Sequence, residues 1–520
     1  MTMKTLPASP PATEPSPVDS RPAPADLAAP VNQTSPTPSR AIADPLDPEV
    51  QRIIDRARHE PGRPSARIAF AFCSLSAVLL WASFTPLDWA PLAWVSLVPL
   101  SLLIRSQARP RWMYAIAAIC GVMQATVQLQ WMRLGHPTMY VAWLALAVYM
   151  GLYWPVFAGL SRVAVHRLRL PLVLTVPVVW TGLEYLRGFL MTGFAWYYLG
   201  HTQYRWLDLI QISDLTGAWG VSFLVASASA AVAAAMPDAW VARLLRSPSA
   251  VATSAAASSV ADSSVAPGST AVSGSASSFA RRAVAAGFAV VLVAMALGYG
   301  AWRRNEAQFT AGPRVALVQG NFTTQVKHDP GEAQRIFNEH HRLTGLAVRE
   351  QPDLIVWPET MYRSPLLSAS PDLSDAELEQ LSPFPASVWR SSATAQALAL
   401  LARQSGAAMM IGVDAGTVDA EHGFRHFNSA AFIRPDVGLT GRYDKIHRVP
   451  FGEYLPLRDE LPWLASLTPF PPDYGIAAGE KPAVFNDGRW SYAPVICFED
   501  TVPQLVRQMM AGAAGSSTTG

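Results

Sequence analysis

Charge is what this chain has least of: only 15% of its 520 residues are Asp, Glu, Lys or Arg, and the formal net charge is +2. No long basic run interleaved with aromatic residues occurs, so a nucleic-acid partner is excluded on electrostatic grounds. Cysteine is scarce as well. Cys73, Cys120 and Cys497 are too few and too scattered for a disulfide framework or a Cys-rich metal site, so any that matters does so as a thiol. His340 and His341 are adjacent on a predicted helix and face different ways, and no other His, Asp or Glu cluster has ligand spacing, so neither a metal nor an organic cofactor is implied. The amino-terminal stretch contains no apolar h-region, which argues against a signal peptide there.

What is present is apolar: half of the residues are hydrophobic. Residues 1–66 read as a disordered Pro/Ala-rich tail, because they show no apolar periodicity that could offset the entropy of ordering. A membrane-crossing helix needs roughly 20 apolar residues. Seven stretches approach that length, near 67–86, 89–105, 112–132, 138–161, 171–192, 208–235 and 283–302. The first six make a membrane bundle over 67–235, and residues 236–282 are a Ser/Ala-rich linker leading to the seventh, at 283–302. Arg residues gather before the first span and in the second, fourth and sixth connections. The positive-inside rule then puts the tail and the linker in the cytoplasm and everything after residue 302 on the far side. Within the fifth stretch, Glu184 and Arg187 are three residues apart, hence on one helical face, and an internal ion pair is expected. Trp180, Trp196, Tyr197 and Tyr198 are expected to form an interfacial aromatic belt.

After residue 312 the pattern turns soluble and α/β. RVALVQG and DLIVWPE read as buried strands around the helical EAQRIFNEHHRLTGLAVRE; SATAQALALLARQSG, AAMMIGVDAG and HFNSAAFIRP continue the series. Three ionisable groups end or follow predicted strands: Glu359 in IVWPET, Lys445 in GRYDKIHRVPFGEYLP and Cys497 in APVICFED. A thiol acts as a nucleophile once a base removes its proton, and an ammonium can stabilise the thiolate and a tetrahedral oxyanion, so the three together suit acyl transfer. Each also has a plain alternative: Cys497 as a buried core thiol, Glu359 as a residue beside a helix start, Lys445 as a solvated loop charge.

WPET, DKIHRVPFGEYLP and ICFED resemble the three signature segments of the nitrilase, or carbon-nitrogen hydrolase, superfamily. Placed behind membrane spans, and with FTPLDWAPLAWVSLVPL, WTGLEYLRGFLMTGFAWYYLGHTQ and DLTGAWGVSFL ahead of them, they resemble its membrane branch, the apolipoprotein N-acyltransferases. The resemblance implies a polytopic helical bundle followed by an αββα sandwich domain over 312–510 that faces the periplasm from a bacterial inner membrane. It implies Cys497 as nucleophile, Glu359 as general base and Lys445 as oxyanion support, with Glu453 and Glu499 at further acidic positions of the site. His328 stands where the family often carries Trp. The implied partners are a phospholipid acyl donor and a diacylglyceryl apolipoprotein acceptor, with Cys497 carrying the acyl group as a thioester. Two other readings remain: a membrane-tethered nitrilase-like amidase, and an inactive remnant. The last arises because the family continues beyond the nucleophile whereas residues 511–520 are low-complexity, so the sandwich is expected to be truncated.

Overall fold

The computed structural model describes residues 64–107, 112–134, 139–245, 273–458, 460–463 and 474–516. The expected tail falls almost wholly outside them, as does most of the Ser/Ala-rich linker.

Ser65 starts the first helix by accepting the Ile68 amide on its hydroxyl at 3.3 Å, and α1 runs Ala66–Ala82. There follow α2 (Val98–Arg105), α3 (Met113–Gln128), α4 (Met139–Gly151), α5 (Tyr153–His166), α6 (Leu172–Arg187), α7 (Ser213–Ala235), α8 (Asp238–Leu245) and α9 (Ser273–Glu306). Three stretches among the described residues are long and apolar enough to cross a membrane: Met139–His166, Ser213–Ala235 and Arg282–Glu306. Ala66–Ala82, Ala90–Arg105 and Met113–Gln128 are apolar but shorter. The stretch expected as one span at 138–161 lies within the single membrane-length stretch Met139–His166; its helix is irregular only at Leu152, between α4 and α5, where Pro155 has no N–H to return to the Gly151 carbonyl. The same glycine sets the helix spacing. A Cβ on Gly151 would lie 2.5 Å from the Val122 amide nitrogen, so α3 and α4 can touch backbone to backbone only while it stays bare.

The second half is a five-stranded sheet in the order β1 (Val315–Leu317), β2 (Leu354–Ala369), β3 (Ala408–Asp419), β4 (Gly423–Arg434) and β5 (Gly438–Asp444). β1, β2 and β3 are parallel, and β3, β4 and β5 antiparallel. α10 (Ala333–Ala347) bridges β1 to β2, and α11 (Ala393–Ser405) precedes β3. A two-stranded ribbon, β6 (Phe485–Asn486) with β7 (Ser491–Tyr492), and α12 (Pro503–Ser516) complete the described chain.

LIVW and AMMIGV are apolar at consecutive positions because both faces of their strands are buried. Ile355, Met409, Ile411 and Ile433 face Leu398 and Ala402 of α11. Leu354, Met410, Phe432 and Tyr443 face the other way and join Phe498, Leu505 and Met509 in a core that continues into Leu129 and Leu146 of the bundle. Of the expected αββα sandwich, taken as incomplete at its carboxy-terminal end, the described residues hold the first sheet whole and the second in part. Among the described residues the second sheet is only the β6–β7 ribbon, and the inner face of the first is covered by the segment around Phe498 and by α12. An apolar sheet face has to be buried against something, and helices serve as well as strands.

Candidate active site

The Glu359 side chain is aimed by an irregularity. Pairing of β2 with β3 slips between Trp357 and Tyr362, where Pro358 offers no N–H and Thr360 takes φ = 53°. The bulge presses on Gly412 of β3, where a Cβ would stand 2.2 Å from the Pro358 carbonyl oxygen. Glycine is therefore required opposite the carboxylate. Asn428 of β4 donates its side-chain amide to Glu359 Oε1 in a short hydrogen bond.

Lys445 directly follows β5, and its backbone N–H donates to the Asn428 carbonyl at 2.9 Å. Its side chain is fully buried. Nζ lies 2.6 Å from Glu453 Oε1 and 3.5 Å from Glu359 Oε1, while the second oxygen of Glu453 accepts the Val449 amide at 2.8 Å. Burial alone would depress the ammonium; the adjacent Glu453 and Glu359 carboxylates outweigh it and hold Lys445 above the ordinary lysine value.

Cys497 was expected at the end of a strand. It instead opens a tight turn, Cys497–Thr501, with φ = 53°, a left-handed conformation that a non-glycine residue holds only when its surroundings enforce it. The enforcing group is Glu499. Buried completely, it accepts the Tyr443 hydroxyl (2.7 Å) and the Ile446 and His447 amides (2.7 and 3.0 Å) on one oxygen and the Ile496 amide (2.8 Å) on the other. One carboxylate thus ties the Cys497 turn to the segment that carries Lys445.

The thiol stays exposed at a cavity of about 460 Å³ whose lining includes Trp357, Glu359, Gly412, Ala430 and Tyr492. Protein packed behind it and the Glu359 charge push the Cys497 thiol above its ordinary value; Lys445 and the Phe498 amide only partly offset them. At neutral pH the resting form is the protonated thiol. Glu359 and Cys497, far apart in sequence, therefore line one cavity, while Lys445, paired with Glu359 and Glu453, lies buried outside its lining. His328 closes the short helix Thr324–His328, and its side chain lies outside the described part of the structure. Sequence reasoning missed Asn428 and Tyr443. The available signal for Asn428 was a polar residue inside the buried run HFNSAAF, which has to find a partner there.

In the bundle the expected Glu184–Arg187 ion pair does not form. Arg187 donates to the Trp196 and Tyr197 carbonyls at 3.0 and 3.2 Å, whereas Glu184 accepts the Trp180 indole and the Leu199 amide at 2.8 and 2.7 Å. Backbone groups of the turn after α6 lack helical partners, and these two buried side chains satisfy them instead of each other. One member of the expected aromatic belt is corrected: Tyr198 is wholly buried, while the half-buried Trp196 meets Phe498 edge to face with ring centroids 5.4 Å apart. The Arg187-bound turn thus touches the residue next to Cys497.

Two family models match the chain, "Apolipoprotein N-acyltransferase N-terminal domain" over residues 76–231 and "Carbon-nitrogen hydrolase" over 314–515. The apolipoprotein N-acyltransferase of Geobacter metallireducens is 31% identical over 442 residues, covering 83% of this chain and 73% of the relative. The chain belongs to the apolipoprotein N-acyltransferase family. The relative from Rhodopirellula baltica is 27% identical, with coverage of 84% and 76%, and that from Pseudomonas aeruginosa 26%, with 87% and 76%. A solved amidase from Nesterenkonia sp. matches at 16% identity over 40% of this chain and 64% of its own, with a TM-score of 0.25. In this apolipoprotein N-acyltransferase relative, the hydrolase match takes in Glu359, Lys445 and Cys497, and the amino-terminal match takes in Glu184 and Arg187.

Proposed function

We infer that this chain moves a fatty acyl group from a phospholipid, through a thioester on Cys497, to the α-amino group of the diacylglyceryl-cysteine of an apolipoprotein. The observation that carries this reading is a neutral thiol at a cavity, flanked by a carboxylate and a buried ammonium, in a chain of this family. Glu359 takes the Cys497 proton as sulfur attacks the ester carbonyl, and Lys445 faces the oxyanion. Collapse breaks the ester C–O bond, the proton returns to the departing lysophospholipid oxygen, and the acyl group remains on sulfur. In the second half the acceptor amine attacks the thioester carbon, Glu359 accepts the ammonium proton, and the thiol is regenerated as the amide forms. Lys445 can serve both halves because two carboxylates keep it charged. Glu453 and Glu499 act through other residues: the first holds the ammonium, the second the nucleophile turn. Glu184 and Arg187 hold the turn that presents Trp196 to Phe498.

The division adopted is a tail over 1–66, a six-span bundle over 67–235, a linker over 236–282, a seventh span at 283–302 and the catalytic domain over 312–510. The tail lies in the cytoplasm and the site in the periplasm, at an inner membrane from which both lipid substrates reach the cavity. The test is intact mass of the membrane-purified protein before and after hydroxylamine. An acyl-sized increment that hydroxylamine removes, absent from Cys497→Ala, is expected; a bare chain in the presence of phospholipid, or an adduct that survives in Cys497→Ala, would sink the reading.

A further inference from the structure

At the end of the bundle remote from Cys497, the start of α6 and the start of α9 diverge over the end of α7, against which both pack. The gap is a groove of about 700 Å³. Leu172, Leu174, Ala234, Val284 and Phe288 line its length, and Arg105, Asp238 and Arg282 stand at its mouth. A volume so far above the ~30 Å³ share of one water has room for a hydrocarbon chain. Water has too few polar partners on these walls, and in a bilayer a gap between helices fills with lipid rather than staying void.

The charges at the mouth select the headgroup. Arg105 is committed: its guanidinium donates to the Ala233 and Met236 carbonyls at 2.8 and 2.7 Å and makes a short ion pair with Asp238. Arg282 approaches the same Asp238 at 3.6 Å, a looser contact, and about a quarter of its side chain is exposed where it lines the groove. Two cations against one carboxylate leave the mouth positive beside an apolar channel. We propose that this groove is a binding site for an anionic glycerophospholipid, its phosphate on Arg282 and one acyl chain between α6 and α9. Such basic mouths between membrane helices suit anionic headgroups. The bound lipid is a resident of the bundle and not the acyl donor, because the groove opens at the opposite helix ends from the Trp196 turn and the cavity at Cys497.

The test uses the full chain in nanodiscs holding equal phosphatidylglycerol and phosphatidylcholine, with lipids retained after detergent extraction counted by native mass spectrometry. The unvaried chain should retain one phosphatidylglycerol in preference to phosphatidylcholine. Arg282→Gln should cut that preference about fivefold, the effect of one interfacial cation. Leu174→Trp should fill the groove and remove retention of either lipid, and both variants should keep the acyl increment on Cys497. Equal retention of the two lipids by the unvaried chain overturns the proposal, as does unchanged preference in Arg282→Gln. No retained lipid at all would mean that protein fills the groove, and also overturns it.

Discussion

Two buried charge groups in this molecule are built on opposite plans. In the sheet domain, Glu359 of β2 and Glu453 of the segment after β5 converge on the Lys445 ammonium, with contacts of 3.5 and 2.6 Å beside an open cavity. In the bundle, Glu184 and Arg187 are one helical turn apart, yet each binds the 196–199 turn and they share only a cavity of about 40 Å³. Sequence neighbours diverge while distant residues converge. The difference teaches that a buried charge is placed by the polar groups left unsatisfied around it, and that only the first arrangement leaves a charge facing room for a substrate.

The comparison breaks first at Lys445. Lys445→Met leaves the Glu359 and Glu453 carboxylates facing one another with no cation, and should cost about 3–5 kcal/mol of stability together with a loss of about 10²–10³ in acyl transfer. Denaturant melts and single-turnover acylation measure the two separately. Next in size is Glu499→Gln. One of its four donors then meets an amide N–H₂ in place of an oxygen, at a cost of about 1–3 kcal/mol; the turn holding Cys497 loosens, so kcat should fall with little change in KM. Arg187→Lys keeps the charge but replaces the planar guanidinium, whose Nη2 donates to both the Trp196 and Tyr197 carbonyls while Nη1 meets the Met150 sulfur, by a single ammonium that cannot keep all three contacts. A drop of about ten- to a hundredfold in kcat is expected, and an unchanged kcat would make that turn irrelevant to the site.

The smallest expected effect is on titration. Because burial and Glu359 raise the Cys497 thiol and Lys445 lowers it, alkylation by iodoacetamide should have a midpoint above that of an ordinary thiol. Glu359→Gln should move the midpoint down and Lys445→Met up. The linkage sign for Lys445 follows from its raised value: its stabilisation is complete below the ordinary lysine pKa and disappears as pH rises through the folded one. Alkaline pH should therefore destabilise the sheet domain, and less so in Lys445→Met.

Much of the site was legible in the chain. Glu359, Lys445 and Cys497 stand in segments whose residue types suit a single chemistry, and the strand and helix patterns from RVALVQG to HFNSAAFIRP fall where the elements are. Less legible was anything that depends on a partner distant in sequence. APVICFED reads as a strand because its residues are apolar and extended up to Ile496; Glu499, drawing in Tyr443 and the amides after β5, converts its end into a turn. The Glu184–Arg187 spacing measures proximity on a helix face and is silent about the turn that competes for both side chains. Tyr198 reads as an interfacial aromatic because composition does not say which way a ring points.

The sequence by itself determined the apolar helices, the α/β order after residue 312 and the residue types of the triad, since periodicity and chemistry are local properties. The tertiary structure alone decided that Lys445 is shared by two carboxylates and that burial and Glu359 together push the Cys497 thiol further up. It also decided that α12 and the Phe498 segment cover the sheet's inner face and that Arg187 serves a turn and not Glu184. Each of these is a balance of burial against hydrogen bonding among groups distant in the chain, and only the folded arrangement brings them into contact.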